Sequence, residues 1–132
     1  MKERRSHIRY PVNFTVKLLR AGVPSASSEG VLIDVSSGGV GINVHKELKK
    51  GTDVVIEWSD PPFYVEGDAI AKGRVISVEK DREGYRLGIR FSDTDSEVTR
   101  NLLNWVHREV SRQKRAQSGV NRLSRHTQKV RF

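Results

Sequence analysis

Cysteine is absent from all 132 residues, which excludes disulfides and thiolate metal sites. The four histidines, His7, His45, His107 and His126, fall in four separate stretches with no H-x-x-x-H spacing, so no metal is expected. No apolar run approaches the length that crosses a bilayer. Met1-Lys2-Glu3-Arg4-Arg5 is not followed by an apolar stretch either, so neither a membrane span nor a secretory leader is expected, and the cytoplasm is the expected location. A nucleophile elbow, a Walker loop and a dinucleotide fingerprint are all missing; Gly38-Gly39-Val40-Gly41 lacks the helix such a fingerprint requires. Glu66 and Asp68 share one side of a possible strand, where a solvated face explains them more simply than paired acid–base catalysis. The chain reads as a protein without catalysis, metal or cofactor of its own.

Acidic charge is scarce at both ends. Residues 1–10 set Lys2, Arg4, Arg5 and Arg9 against Glu3, and residues 108–132 set eight Lys and Arg against Glu109. The body between them carries 12 positive and 14 negative charges, so the net +8 resides in two arms around a nearly neutral domain. A protein that reads nucleic acid across a folded face would carry a basic body, and this one does not. The length suits one domain with a real core.

Within that domain the period is two. Val12, Phe14, Val16 and Leu18 alternate with polar residues; so do Val40, Ile42 and Val44, then Val54, Ile56 and Trp58, then Tyr85, Leu87, Ile89 and Phe91. Gly30 to Ile33 reads as a further strand, and the stretch from Arg20 to Ser28, with Gly22, Pro24 and three serines, as a loop. Asp60-Pro61-Pro62 breaks the chain. Phe63 to Lys80 is long for one strand, and Gly67 and Gly73 suggest a bulge, a bend or two shorter strands. Six or seven strands with short polar connections and no intervening helix predict a small antiparallel barrel over residues 12–92.

From Ser92 the period changes. Thr94 and Glu97 have the spacing of a capping box, and Val98, Leu102, Trp105, Val106 and Val110 form one apolar stripe. This predicts a helix over 93–115 that covers the barrel or meets a second subunit, with Trp105 as core. Residues 116–132, basic and poor in apolar side chains, are expected to be disordered.

Two stretches carry candidate chemistry. Arg4-Arg5-Ser6-His7-Ile8-Arg9-Tyr10-Pro11 is a poor helix, and its proline biases Tyr10 towards extended backbone, which fits a flexible arm over 1–11. The guanidinium fork suits phosphate oxygens and guanine O6/N7; a solvated basic terminus is the plainer reading. Asp34-Val35-Ser36-Ser37-Gly38-Gly39 reads as a strand end and a tight turn bearing a carboxylate and hydroxyls, with main-chain N–H groups that could form an anion nest. An ordinary hairpin turn uses the same residues.

Taken together, Arg5-x-x-x-Arg9 followed by Asp34-x-Ser36-x-x-Gly39 resembles the paired signature of the PilZ domain, the bacterial receptor module for cyclic di-GMP. Arg9-Tyr10-Pro11 and Leu87-Gly88-Ile89-Arg90-Phe91 look similar to that family too, and the likeness covers about residues 3–110. The resemblance implies a six-stranded barrel with cyclic di-GMP as ligand. In it Arg5 and Arg9 would grip phosphates and guanine Hoogsteen edges, and Asp34 would accept from guanine N1–H and N2–H₂. Ser36 would donate to phosphate or hold the turn, and Gly38 and Gly39 would admit backbone and base. Arg4, just before the first motif, implies an intercalated pair of ligand molecules. Arg74 and Arg90 could stack on guanine near the pocket, but surface strand positions are the better expectation for both. The implied role is a receptor that orders its arm on binding and signals to an unidentified partner in motility, exopolysaccharide or biofilm control. The alternatives are a small basic barrel that binds nucleic acid through its arms, or a degenerate PilZ-like adaptor; the intact motif argues against the latter.

Overall fold

The computed structural model describes residues 9–94 and 96–127, with backbone alone at 24–26 and 113–127. Six strands, β1 (Tyr10–Arg20), β2 (Val23–Val35), β3 (Gly39–Val44), β4 (Asp53–Trp58), β5 (Ile70–Lys80) and β6 (Tyr85–Phe91), precede one helix, α1 (Glu97–Thr127). The strands close an antiparallel barrel in the order β1-β2-β3-β6-β5-β4. Alternation explains why it closes around one core: Val16 and Leu18, Val40 and Ile42, Val54 and Ile56, and Leu87 and Ile89 all point inward and are buried.

The expected loop over Arg20 to Ser28 instead belongs to the two strands, with a register shift at residues 24–26 that have no ladder partner. β1 and β2 are joined by Ala21-Gly22 alone, with Gly22 at φ 81° supplying the left-handed residue that a tight hairpin requires. Leu18 pairs with Ser28 and Leu19 with Ser27. Serines read as loop, yet an exposed ladder is held by main-chain bonds that are indifferent to side-chain polarity. The barrel also begins earlier than 12, because Tyr10 and Pro11 pair with Val35 and Asp34. Pro11 is tolerated there since β1 meets β4 only from Val16 onward, leaving no ladder on that side for a missing N–H to break.

Two bulges matter more than the glycines that suggested one. Register slips between Leu32 and Asp34 on β2, and between Val75 and Ser77 on β5, make Ile33 and Ile76 the extra residues. The first inverts the phase of β2. Leu32 and Val35 both face the core, and Asp34 turns to the outer face opposite Gly41. Strict alternation would have pointed the carboxylate inward with Leu32.

Helix α1 starts at Glu97, and its cap is Ser96 rather than Thr94. The Ser96 hydroxyl accepts from Thr99 N at 3.2 Å, and Ser96 O accepts from Arg100 N at 3.0 Å. Val98, Leu102 and Val106 are buried in the barrel's own core cluster. Trp105 lies 5.3 Å from the Phe14 ring, and His107 meets Tyr10 edge-on at 5.6 Å. The apolar stripe therefore covers the barrel. The helix runs to Thr127 rather than ending at 115. Nothing between Glu97 and Thr127 is a proline, and polarity opposes burial, not helical hydrogen bonding. Residues 128–132 of the expected tail lie outside the described residues.

Candidate functional site

The β2 bulge delivers Asp34 to a bare patch of the outer face. Across the sheet Asp34 pairs with Gly41, Gly41 with Gly88, and Gly88 with Ser77. A Cβ added to Gly41 would lie 2.8 Å from Asp34 Oδ1 and 2.9 Å from Oδ2, so the carboxylate occupies the space that Gly41 leaves. The sequence pointed to Gly38 and Gly39 at the turn; the glycine that accommodates the acid is Gly41, inside β3.

Asp34 is 8% exposed and accepts from two arginines. Arg9 Nη1 donates to Oδ1 at 2.7 Å, and Arg86 Nη2 donates to Oδ2 at 2.6 Å. Arg86 was not singled out in the sequence. It stands on β6 opposite Asn43 and reaches across β3 to the acid. One carboxylate against two guanidiniums leaves an excess positive charge, and the bridge holds both forks side by side. Arg9 Nε is buried with no hydrogen-bond partner among the described residues. That leaves a buried donor whose acceptor the described residues do not supply.

The turn after β2 is held by its own serine. Ser36 Oγ accepts from Gly38 N at 3.3 Å and Gly39 N at 3.2 Å, donates to Gly39 O at 3.3 Å, and Ser36 N donates to Gly39 O at 2.8 Å. The Ser36 hydroxyl thus holds the turn together. The same bonds occupy the N–H groups of Gly38 and Gly39, so the anion nest expected there is filled from within. Gly39 is bare for another reason than ligand access: a Cβ there would collide with the main-chain carbonyl of Ile89. Gly38 O accepts from Phe91 N at 2.9 Å, tying the turn to β6.

Of the expected site residues, Arg9, Asp34, Ser36, Gly38 and Gly39 are brought together, while Arg4 and Arg5 lie outside the described residues. Arg90 is exposed on the outer face opposite Gly39, one row from Asp34. Arg74 is engaged elsewhere: Nε donates to Asp53 Oδ1 at 2.8 Å, which raises the guanidinium pKa and holds the Asp53 carboxyl below its usual range. Among the described residues no three His, Asp or Glu side chains are grouped to hold a metal ion, and no helix is long and apolar enough to cross a membrane.

Solved structures share this architecture. The inhibitor of motility MotI/DgrA of Bacillus subtilis superposes with a TM-score of 0.63 at 14% identity, over 84% of this chain and 53% of that one. The PilZ domain of Escherichia coli YcgR, solved with c-di-GMP, gives 0.62 at 19% identity, over 89% and 98% respectively. The PilZ domain of CeSA from a cellulose-synthesizing bacterium gives 0.54 at 21% identity, over 76% and 95%. The chain thus spans about half of MotI but nearly all of the isolated domains. No curated protein sequence matches it significantly. The sequence model of the PilZ domain matches residues 3–108, and on that match, over a six-stranded closed barrel that carries the arginine-bridging Asp34, the chain belongs to the PilZ domain family.

Proposed function

We propose that this protein is a non-catalytic cyclic di-GMP receptor acting in the cytoplasm. The observation that carries the reading is the bridge: one nearly buried carboxylate holds Arg9 and Arg86 together, and Arg9 Nε has no partner among the described residues. A ligand with two phosphates and two guanines supplies what this cluster lacks. Phosphate oxygens accept from Arg5, Arg9 and Arg86, and each Asp34 oxygen keeps a lone pair for guanine N1–H or N2–H₂. Arg90 adds a cation at the rim. Ser36, Gly38 and Gly39 act one step back, by fixing the turn that follows Asp34. Arg4 favours two stacked ligand molecules per chain, in which guanidinium and guanine planes alternate.

The output lies with a protein partner. The motility inhibitor of Bacillus subtilis and the cellulose-related domain share the fold, and they make motility or exopolysaccharide the outputs to test first. Binding would change the conformation of the chain around the basic arm, and that rearrangement is the signal.

The test is calorimetric titration with cyclic di-GMP, GMP, cyclic di-AMP and a short DNA duplex, on wild type, Arg5→Ala and Asp34→Ala. Saturable binding of cyclic di-GMP alone is expected. Each variant should be weaker by about thirtyfold or more, the loss of a charge-assisted contact. Salt-sensitive duplex binding that improves in Asp34→Ala, with no heat from cyclic di-GMP, would overturn the reading.

A further inference from the structure

We infer that the nucleobase of the bound ligand enters a second compartment of the same face, a groove beyond Arg86 in which Asn43 reads its edge. The inference rests on the receptor reading above and adds a site residue and an orientation to it. An open groove of about 760 Å³ lies against β2, β3 and the β5–β6 hairpin, lined by Val31, Asn43, Val44 and Tyr85 among others. That size is in the range of small-ligand sites. Asn43 pairs with Val31 on one side and Arg86 on the other, two residues along β3 from Gly41. The groove therefore begins about 7 Å along the strands from the carboxylate bridge.

Three observations converge on it. Asn43 Oδ1 is buried and has no hydrogen-bond partner among the described residues. A folded chain retains such an atom at a cost in stability, and a ligand donor would remove that cost. The side-chain amide is complementary to the lactam edge of guanine: Oδ1 accepts from N1–H while Nδ2 donates to O6. The lining is apolar at Val31, which is 37% exposed, where a planar ring can lie. Finally, the rim carries Glu29, Asp81 and Glu83 against Arg82, so it repels phosphate. The cationic end at Arg9 and Arg86 attracts it. The gradient along the face orients an anionic nucleotide with phosphates at the arginines and a base in the groove.

Titration of the full chain with cyclic di-GMP tests this on Asn43→Leu and Val31→Trp, alongside urea unfolding of each. Asn43→Leu should weaken binding about five- to a hundredfold, the loss of two neutral hydrogen bonds. It should also raise the unfolding midpoint, because it removes the unsatisfied acceptor. A structural asparagine would not shift the two readouts in opposite directions. Val31→Trp fills the groove from an outward-facing position and should weaken binding at least tenfold with the midpoint preserved. Wild-type affinity in both variants would overturn the groove while leaving the receptor reading intact. Failure of the wild type itself to bind, with both variants folded, would overturn the receptor reading and the groove with it.

Discussion

Replacing Gly41 by alanine should damage the site through an atom that no ligand touches. The new Cβ would stand 2.8 Å from Asp34 Oδ1, 2.9 Å from Oδ2 and 3.0 Å from Cγ. To regain ordinary van der Waals separation the carboxylate must retreat by about half an ångström. It has little freedom to do so, because Oδ1 is bound to Arg9 at 2.7 Å and Oδ2 to Arg86 at 2.6 Å. One bond lengthens beyond its useful range. A charge-assisted bond contributes roughly 1.5–3 kcal/mol when buried. The Arg9 and Arg86 side chains are 27% and 38% exposed, so solvent returns part of that, and about 1–2 kcal/mol is lost. Alanine recovers about 0.5–1 kcal/mol of backbone entropy relative to glycine in a strand. The net is a destabilisation of about 0.5–1 kcal/mol, a shift of a few tenths molar in the urea midpoint. In an Asp34→Ala background the colliding atoms are gone, and the same substitution should stabilise by about 0.5–1 kcal/mol. The assay is a double-mutant cycle by urea denaturation, paired with cyclic di-GMP titration. A Gly41→Ala protein at least as stable as wild type in both backgrounds would refute the placement of Asp34 over Gly41.

Other outcomes follow from the same geometry. Asp34→Ala removes both ion pairs and should cost about 1–3 kcal/mol by urea unfolding, with the arginines' exposure limiting the loss. Gly39→Ala drives a Cβ into the Ile89 carbonyl, a main-chain group with no room to yield, and should cost about 3 kcal/mol or more; near-wild-type melting would refute that close approach. Ser96→Ala removes the α1 cap and should lower stability by about 1 kcal/mol, whereas Thr94→Ala should be nearly silent. Arg74 depresses the Asp53 carboxyl pKa, so this pair's contribution is present above the ordinary carboxylate range and fades as pH falls through the depressed value. The stability difference between wild type and Asp53→Asn should therefore shrink as pH falls below the ordinary carboxylate range, and at high salt, since the pair is exposed; a difference that grew on acidification would contradict it.

The alternation of Val16 and Leu18, Ile42 and Val44, and Leu87 and Ile89 made the barrel legible, because one buried face imposes a period of two. The stripe from Val98 to Val110 made the helix legible for the corresponding reason at 3.6. What misled was composition. Ser27 and Ser28 sit in a ladder, and the basic stretch after Arg115 is helical as far as Thr127. Main-chain hydrogen bonds form in solvated polar segments as readily as in apolar ones. The cap moved from Thr94 to Ser96 because several residues near Ser92 suit the role, and only the helix's actual first turn selects among them.

For the site the division is sharper. Residue order alone placed Arg9, Asp34, Ser36 and Gly39 in a recognisable signature and confined the positive charge to the ends. Two facts were beyond its reach. Ile33 is an extra residue in β2, and that decides whether Asp34 faces the core or the solvent; no local preference at Ile33 announces it, since a bulge is settled by how the two neighbouring strands mesh. Arg86 is 52 positions from Asp34 and meets it only because barrel closure sets β6 beside β3. Spacing along a chain records what neighbours share. Pairing between distant strands depends on the summed packing of the whole barrel, so Arg86, Gly41 and Asn43 enter the site only through the tertiary structure.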